Sequence, residues 1–242
     1  MKKTILFNWK SNPQSWGDAT KLLGIIKSRP EFLRKYDVFV ACPFVYLERL
    51  AKDKKIKAVA QNCLWEKLGG PFTGEISSLM LKNLGCDYVL VGHSERKNLF
   101  RETDEIINKK LLAALAGGLK VFLFFGEKQE STSWQNVLAQ LAGFLKEIRI
   151  KDFSNITFVY EPAYAVSTSG GKRLSAQEAE KKIGLAKGFL KKKFKIDPVV
   201  IYGGSVDAYN FLEYAENKRI QGFVIGRASL NPRQLEKIIS KT

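Results

Sequence analysis

Eight short apolar, β-branched runs recur along the chain, at 4–8, 38–41, 58–61, 88–91, 120–125, 156–161, 199–202 and 222–225. Runs this short suit strands buried on both faces. Between most of them lies a stretch with the apolar spacing of a helix. Ile106, Leu111, Leu112 and Leu115 form one such stripe, bounded by Thr103 and by Gly117 and Gly118. Two helix starts are marked by end-capping chemistry. "SAQE" at 175–178 has the spacing of a capping box. Asn231 before Pro232 puts proline at a first helical position, where its missing N–H costs nothing.

Strand–helix alternation builds parallel sheet, either open and doubly wound or closed into a barrel. Eight units of roughly 30 residues in a chain of 242 favour a single α/β domain, a (β/α)₈ barrel over 1–242. No Pro- or Ser-rich linker and no change of composition divides the chain. In both architectures functional residues gather at the carboxyl ends of the strands.

That rule sorts the polar residues. Asn8 and Lys10 end the first run, Gln61 and Asn62 the third, and Glu161 the sixth. His93, the only histidine, and Glu95 follow the fourth. A lysine, a histidine and a carboxylate on one rim form an acid–base inventory. "YGGS" after the seventh run and "IGRAS" after the eighth suit a phosphate, because glycine lets backbone N–H groups close on an anion. Tight turns needing glycine for geometry explain the same letters.

Composition narrows the classes. With one histidine and cysteines dispersed at 42, 63 and 86, no zinc set is available, and no metal or disulfide framework is expected. The chain reads as reduced, intracellular and cytoplasmic. "MKKTILFNWK" opens like a signal peptide, but its apolar run stops at Asn8. The longest later run is far below a membrane span, so no membrane partner is expected. A net charge of +16 points to anionic partners or to a lysine-rich solvated surface. The basic runs "KDKKIK" and "LKKKFK" carry no recognised nucleic-acid motif, and nucleic acid is not expected as the main partner.

Taken together, "FNWK", "AQNC", "GGPFTGEIS", "VGHSER", "RETDEIINKK", "FGE", "YEPAYA", "IYGGSV" and "GFVIGRASL", in this order, resemble the triosephosphate isomerase family over nearly the full length. The resemblance implies interconversion of dihydroxyacetone phosphate and glyceraldehyde 3-phosphate, in glycolysis and gluconeogenesis, without metal or organic cofactor. The roles it implies are those for which this family is a known instance of tuned acid–base chemistry. Glu161 would be the base and His93 a neutral electrophile. Lys10 would supply positive charge, Asn8 would hold the substrate, and Glu95 would stand beside Lys10. Pro162, Ala163 and Tyr164 would lead into a lid that donates the Ser167 N–H to the phosphate. Tyr202 and Ser205 would grip the closed lid, Ser205 also meeting the phosphate. The amides of Gly226 and Arg227 would complete the cradle.

The resemblance also implies a homodimer. Thr73 would reach the neighbour's site near Asn8 and Lys10, and Glu75 and Arg96 match an ion pair near that interface. Four departures stand out. Ser167-Thr168-Ser169 replaces Gly-Thr-Gly at the lid tip, with Gly170 and Gly171 lengthening it by about two residues. Tyr164 replaces a tryptophan, Phe124 a cysteine, and Arg227 a glycine. A barrel enzyme with altered substrate choice is the alternative these changes leave open.

Overall fold

The computed structural model describes residues 2–166 and 173–241. Its eight strands are β1 (Lys3–Asn8), β2 (Tyr36–Cys42), β3 (Lys57–Ala60), β4 (Tyr88–Val91), β5 (Lys120–Phe125), β6 (Ile156–Tyr160), β7 (Val199–Tyr202) and β8 (Gly222–Ile225). They pair in parallel in chain order, and β8 pairs with β1 to close the barrel. The open-sheet alternative is thereby removed. Every expected run is a strand, with ends shifted by up to two residues; Gln61 and Glu161 lie just past β3 and β6.

The helices are α1 (Trp16–Lys27), α2 (Pro30–Lys35), α3 (Phe44–Ala51), α4 (Ser78–Asn83), α5 (Ser94–Leu99), α6 (Asp104–Ala116), α7 (Trp134–Phe144), α8 (Ala176–Phe194), α9 (Phe211–Glu216) and α10 (Pro232–Ile239). Both marked starts hold. Ser175 and Glu178 form a reciprocal capping box at α8, and the Asn231 side chain accepts the Gln234 N–H at α10. Thr103, which bounds the expected stripe, caps α6 by accepting the Ile106 N–H. The buried stripe of α6 differs from the expected one. Ile107, Leu111 and Ala114 face the barrel, while Ile106, Leu112 and Leu115 are half-buried. The face turns because Lys110 points inward to pair with buried Glu102, and the apolar stripe follows it.

Strand side chains alternate between two cores. Outward residues such as Phe7, Val40, Leu123 and Tyr160 pack under the helices. Inward residues fill the barrel: Leu6, Phe39, Ala41, Val59, Leu90, Phe122, Phe124, Val159, Ile201 and Val224. Continuing each inward row by two residues reaches Asn8, Pro43, Gln61, Gly92, Gly126, Glu161, Gly203 and Gly226. The period-two pattern that packs the interior therefore also aims these positions at the upper mouth.

Candidate active site

Glu161 is the polar continuation of the inward row through Val159, and it is almost fully buried. Its backbone N–H still bonds Phe125 O at 2.7 Å, prolonging the β5–β6 ladder by one rung. Two glycines make room for it. Gly126 has φ 154°, and a Cβ there would strike the Glu161 carbonyl. A Cβ on Gly203 would sit 2.7 Å from Val159 Cγ1 and 3.1 Å from Glu161 Cβ. The carboxylate accepts the Ser94 N–H at 2.8 Å through Oε2. Burial pushes its pKa up to about 7, against Lys97, the Ser94 N–H and Lys10, which favour the charged form.

His93 caps α5. Its Nδ1 accepts the Glu95 N–H at 3.2 Å, so the proton of the neutral ring sits on Nε2. Burial drives its pKa down to about 4; Lys10, Lys97 and Arg96 add to this, and Glu95 opposes it. At neutral pH the imidazole is uncharged. Its Nε2 lies 3.2 Å from Glu161 Oε1, the contact of a neutral ring beside a carboxylate and not of an ion pair. The ring rests against Phe124, with centroids 5.1 Å apart and planes at 62°.

Lys10 has φ 53°, a strained conformation for a side-chain-bearing residue. Local bonds hold it there. Its N–H donates to Asn8 Oδ1 at 3.0 Å, and Gln61 Nε2 donates to its carbonyl at 2.7 Å. The Lys10 ammonium pairs with Glu95. Asn62, also a strand-end residue, turns away and accepts from Lys110 Nζ at 2.6 Å.

Asn8, Lys10, His93 and Glu161 open onto one cleft of about 320 Å³, whose opposite wall includes Ser205, Gly226 and Arg227. Arg227 is exposed, starts a one-turn 3₁₀ helix (Arg227–Leu230) and is not among the positive-φ residues, so the backbone tolerates a side chain there. Two charged groups that strand-end sorting passed over share the cleft: Arg173 and Asp207, paired at 2.7 Å. Lys97, whose charge acts on Glu161, was passed over as well; its ammonium lies over the Phe144 ring, 5.8 Å from the centroid, and outside the cleft lining.

Not every expected residue enters this mouth. Pro162, Ala163 and Tyr164 follow Glu161 but do not line it; the Ala163 N–H bonds Glu127 O at 2.8 Å. Tyr202 is buried under Gly204, its ring stacked on Tyr214 with centroids 4.9 Å apart. Ser167, with the lid tip through Gly171, lies outside the described residues. Thr73 and Glu75 stand exposed on a loop away from the cleft. Within the chain Arg96 pairs with Glu102, which Lys110 also engages. Among the described residues no cluster of His, Cys, Asp and Glu could hold a metal ion, and no helix is long and apolar enough to cross a membrane.

The fold is a closed (β/α)₈ barrel, with a buried carboxylate, an imidazole and an ammonium gathered around one polar mouth. The family model described as triosephosphate isomerase matches residues 3–242. A triosephosphate isomerase of Alkaliphilus oremlandii is 35% identical over 252 residues, covering 99% of this chain and 100% of that protein. One of Coprinopsis cinerea is 36% identical, covering 96% of this chain and 94% of that protein. The chloroplastic enzyme of Arabidopsis thaliana is 37% identical, covering 96% of this chain and 75% of that protein. The chain belongs to the triosephosphate isomerase family and is an isomerase of that type; the family's reaction interconverts dihydroxyacetone phosphate and glyceraldehyde 3-phosphate.

Proposed function

We propose that this chain isomerises triose phosphate through an enediolate, with Glu161 as base and His93 as electrophile. The observation that carries the reading is that both groups open onto one cleft, 3.2 Å apart, with glycine turns opposite. Glu161 takes a proton from the carbon bearing the hydroxyl. The electron pair moves into a carbon–carbon double bond, and the carbonyl oxygen gains negative charge. His93 Nε2–H passes its proton to that oxygen and recovers one from the neighbouring hydroxyl, whose oxygen becomes the new carbonyl as Glu161 returns its proton to the former carbonyl carbon; no net charge is left behind. A base whose pKa sits near the working pH both accepts and returns the proton readily. A neutral imidazole is the better-matched donor to an enediolate, because a full cation would stabilise the charged intermediate at the cost of the return step.

Lys10 supplies positive charge to the oxyanion and to the substrate dianion, Asn8 holds the substrate in register, and Glu95 keeps the Lys10 ammonium in place. The phosphate is read by the amides of Gly226 and Arg227 and by Ser205, with Ser167 closing over it. The Arg227 side chain adds a charge-assisted contact that a glycine lacks. Pro162, Ala163 and Tyr164 serve as the lid's hinge, and Tyr202 helps hold it shut.

The site works in a homodimer. Val45, Leu68, Leu99 and Phe100 are large apolar side chains left exposed, which a partner would cover. Thr73 of one copy approaches Asn8 and Lys10 of the other, and Glu75 and Arg96 form an ion pair near that interface.

A coupled assay of purified protein in both directions tests the function. His93→Gln lowers kcat by about 10²–10⁴-fold while circular dichroism and melting temperature hold. Equal turnover in the folded variant overturns the role of His93.

A further inference from the structure

We propose that Phe124 is a positioning residue for His93, its ring setting the tilt of the imidazole and sealing its lower face from water. The inference rests on the electrophile reading of His93.

Phe124 is the last apolar residue of the inward row on β5, where the next inward position is Gly126. It is fully buried, and the imidazole stands on it in a tilted edge-to-face contact, 5.1 Å between centroids. Such a contact has a preferred orientation, unlike a contact with an aliphatic side chain. The ring of His93 has one described hydrogen bond, Nδ1 to the Glu95 N–H. One bond fixes a nitrogen but leaves the ring free to tilt about it. The broad torsion at the imidazole offers little resistance of its own. The phenyl ring removes that freedom and directs Nε2 towards Glu161.

Charges reach the imidazole from the other sides. Glu161 faces Nε2 at 3.2 Å and Glu95 lies 4.0 Å from Nδ1; Lys10, Arg96 and Lys97 act at longer range. On the β5 side the contact is Phe124, and it is apolar. A smaller residue there opens a space beside the ring that water can enter, and water favours the imidazolium.

The single histidine makes the test direct. In full-length protein labelled with ¹⁵N-histidine, one imidazole is read without assignment. The wild type is expected to show one neutral tautomer, protonated at Nε2, which stays neutral on acidification until about pH 4. In Phe124→Ala the ring should take up its proton at a pH at least one unit higher, or populate both tautomers. At pH 8 kcat should fall at least tenfold, with KM changed less. Phe124→Leu keeps apolar volume but loses the ring. It should keep the fold, lower kcat several-fold and broaden or shift the imidazole signals. A folded Phe124→Ala with wild-type titration, tautomer and kcat overturns the proposal. If Phe124→Ala does not fold, unchanged spectra and kcat in Phe124→Leu overturn it instead. The spectra do not depend on turnover. A wild type without isomerase activity would refute the electrophile role, while the titrations would still decide whether Phe124 governs the ring.

Discussion

At the scale of single residues, Glu161 and His93 are pushed in opposite directions by the same cause. Burial penalises charge, so the acid holds its proton and the base sheds its own. Two consequences follow for pH. As the proposed base, Glu161 must be ionised, so kcat/KM should fall as pH drops through about 7. A flat profile between pH 8 and 5.5 would contradict this. Stability behaves differently. The pKa of Glu161 is raised from 4.5, so its contribution improves on acidification between 7 and 4.5. The pKa of His93 is lowered from 6.5, so its contribution is lost as pH falls from 6.5 to 4. Where the windows overlap the two cancel. Glu161→Gln removes the first and exposes the second. At pH 8 the variant should be more stable in urea by roughly 3 kcal/mol. It should then lose stability between pH 6.5 and 4.5 while the wild type stays level.

At the scale of elements, the strands aim the chemistry and the turns after them make space. Glu161 points into the mouth because Val159 points into the barrel, two residues earlier on the same face. Gly203, at the end of β7, clears the room its side chain occupies. Gly203→Ala should therefore displace the carboxylate, lowering kcat more than tenfold, while KM and the melting temperature change less. A drop in melting temperature without a kinetic effect would show that the methyl group is absorbed elsewhere. Much of this was legible. The eight runs, the helix starts at Ser175 and Asn231, and the strand-end positions of Asn8, Lys10 and Glu161 are local patterns. The buried face of α6 was misjudged because an inward lysine, Lys110, turns it, and its partner Glu102 precedes the helix. Asn62 likewise matched the strand-end rule but serves Lys110.

At the scale of the whole molecule, a net charge of +16 surrounds a site for a dianion. Long-range attraction of this kind is screened by salt. Raising ionic strength should lower kcat/KM while kcat holds, as stopped assays at fixed pH would record. The exposed apolar residues Leu68, Leu99 and Phe100 predict a dimer in sedimentation at micromolar concentration, and a monomer there would contradict the proposed assembly.

The sequence by itself determined the number and order of the strand–helix units, two of their helix starts, and the row of residues that each strand presents at its upper end. Those depend on periodicity and on bonds between near neighbours, which the chain carries wherever it lies. Only the tertiary structure decided that β8 closes on β1, that His93 and Glu161 meet at 3.2 Å, and that Phe124 stands beneath the imidazole. It also decided the opposed protonation of the two groups. Desolvation belongs to the closed barrel, since no segment can exclude water from a side chain until the others have packed around it.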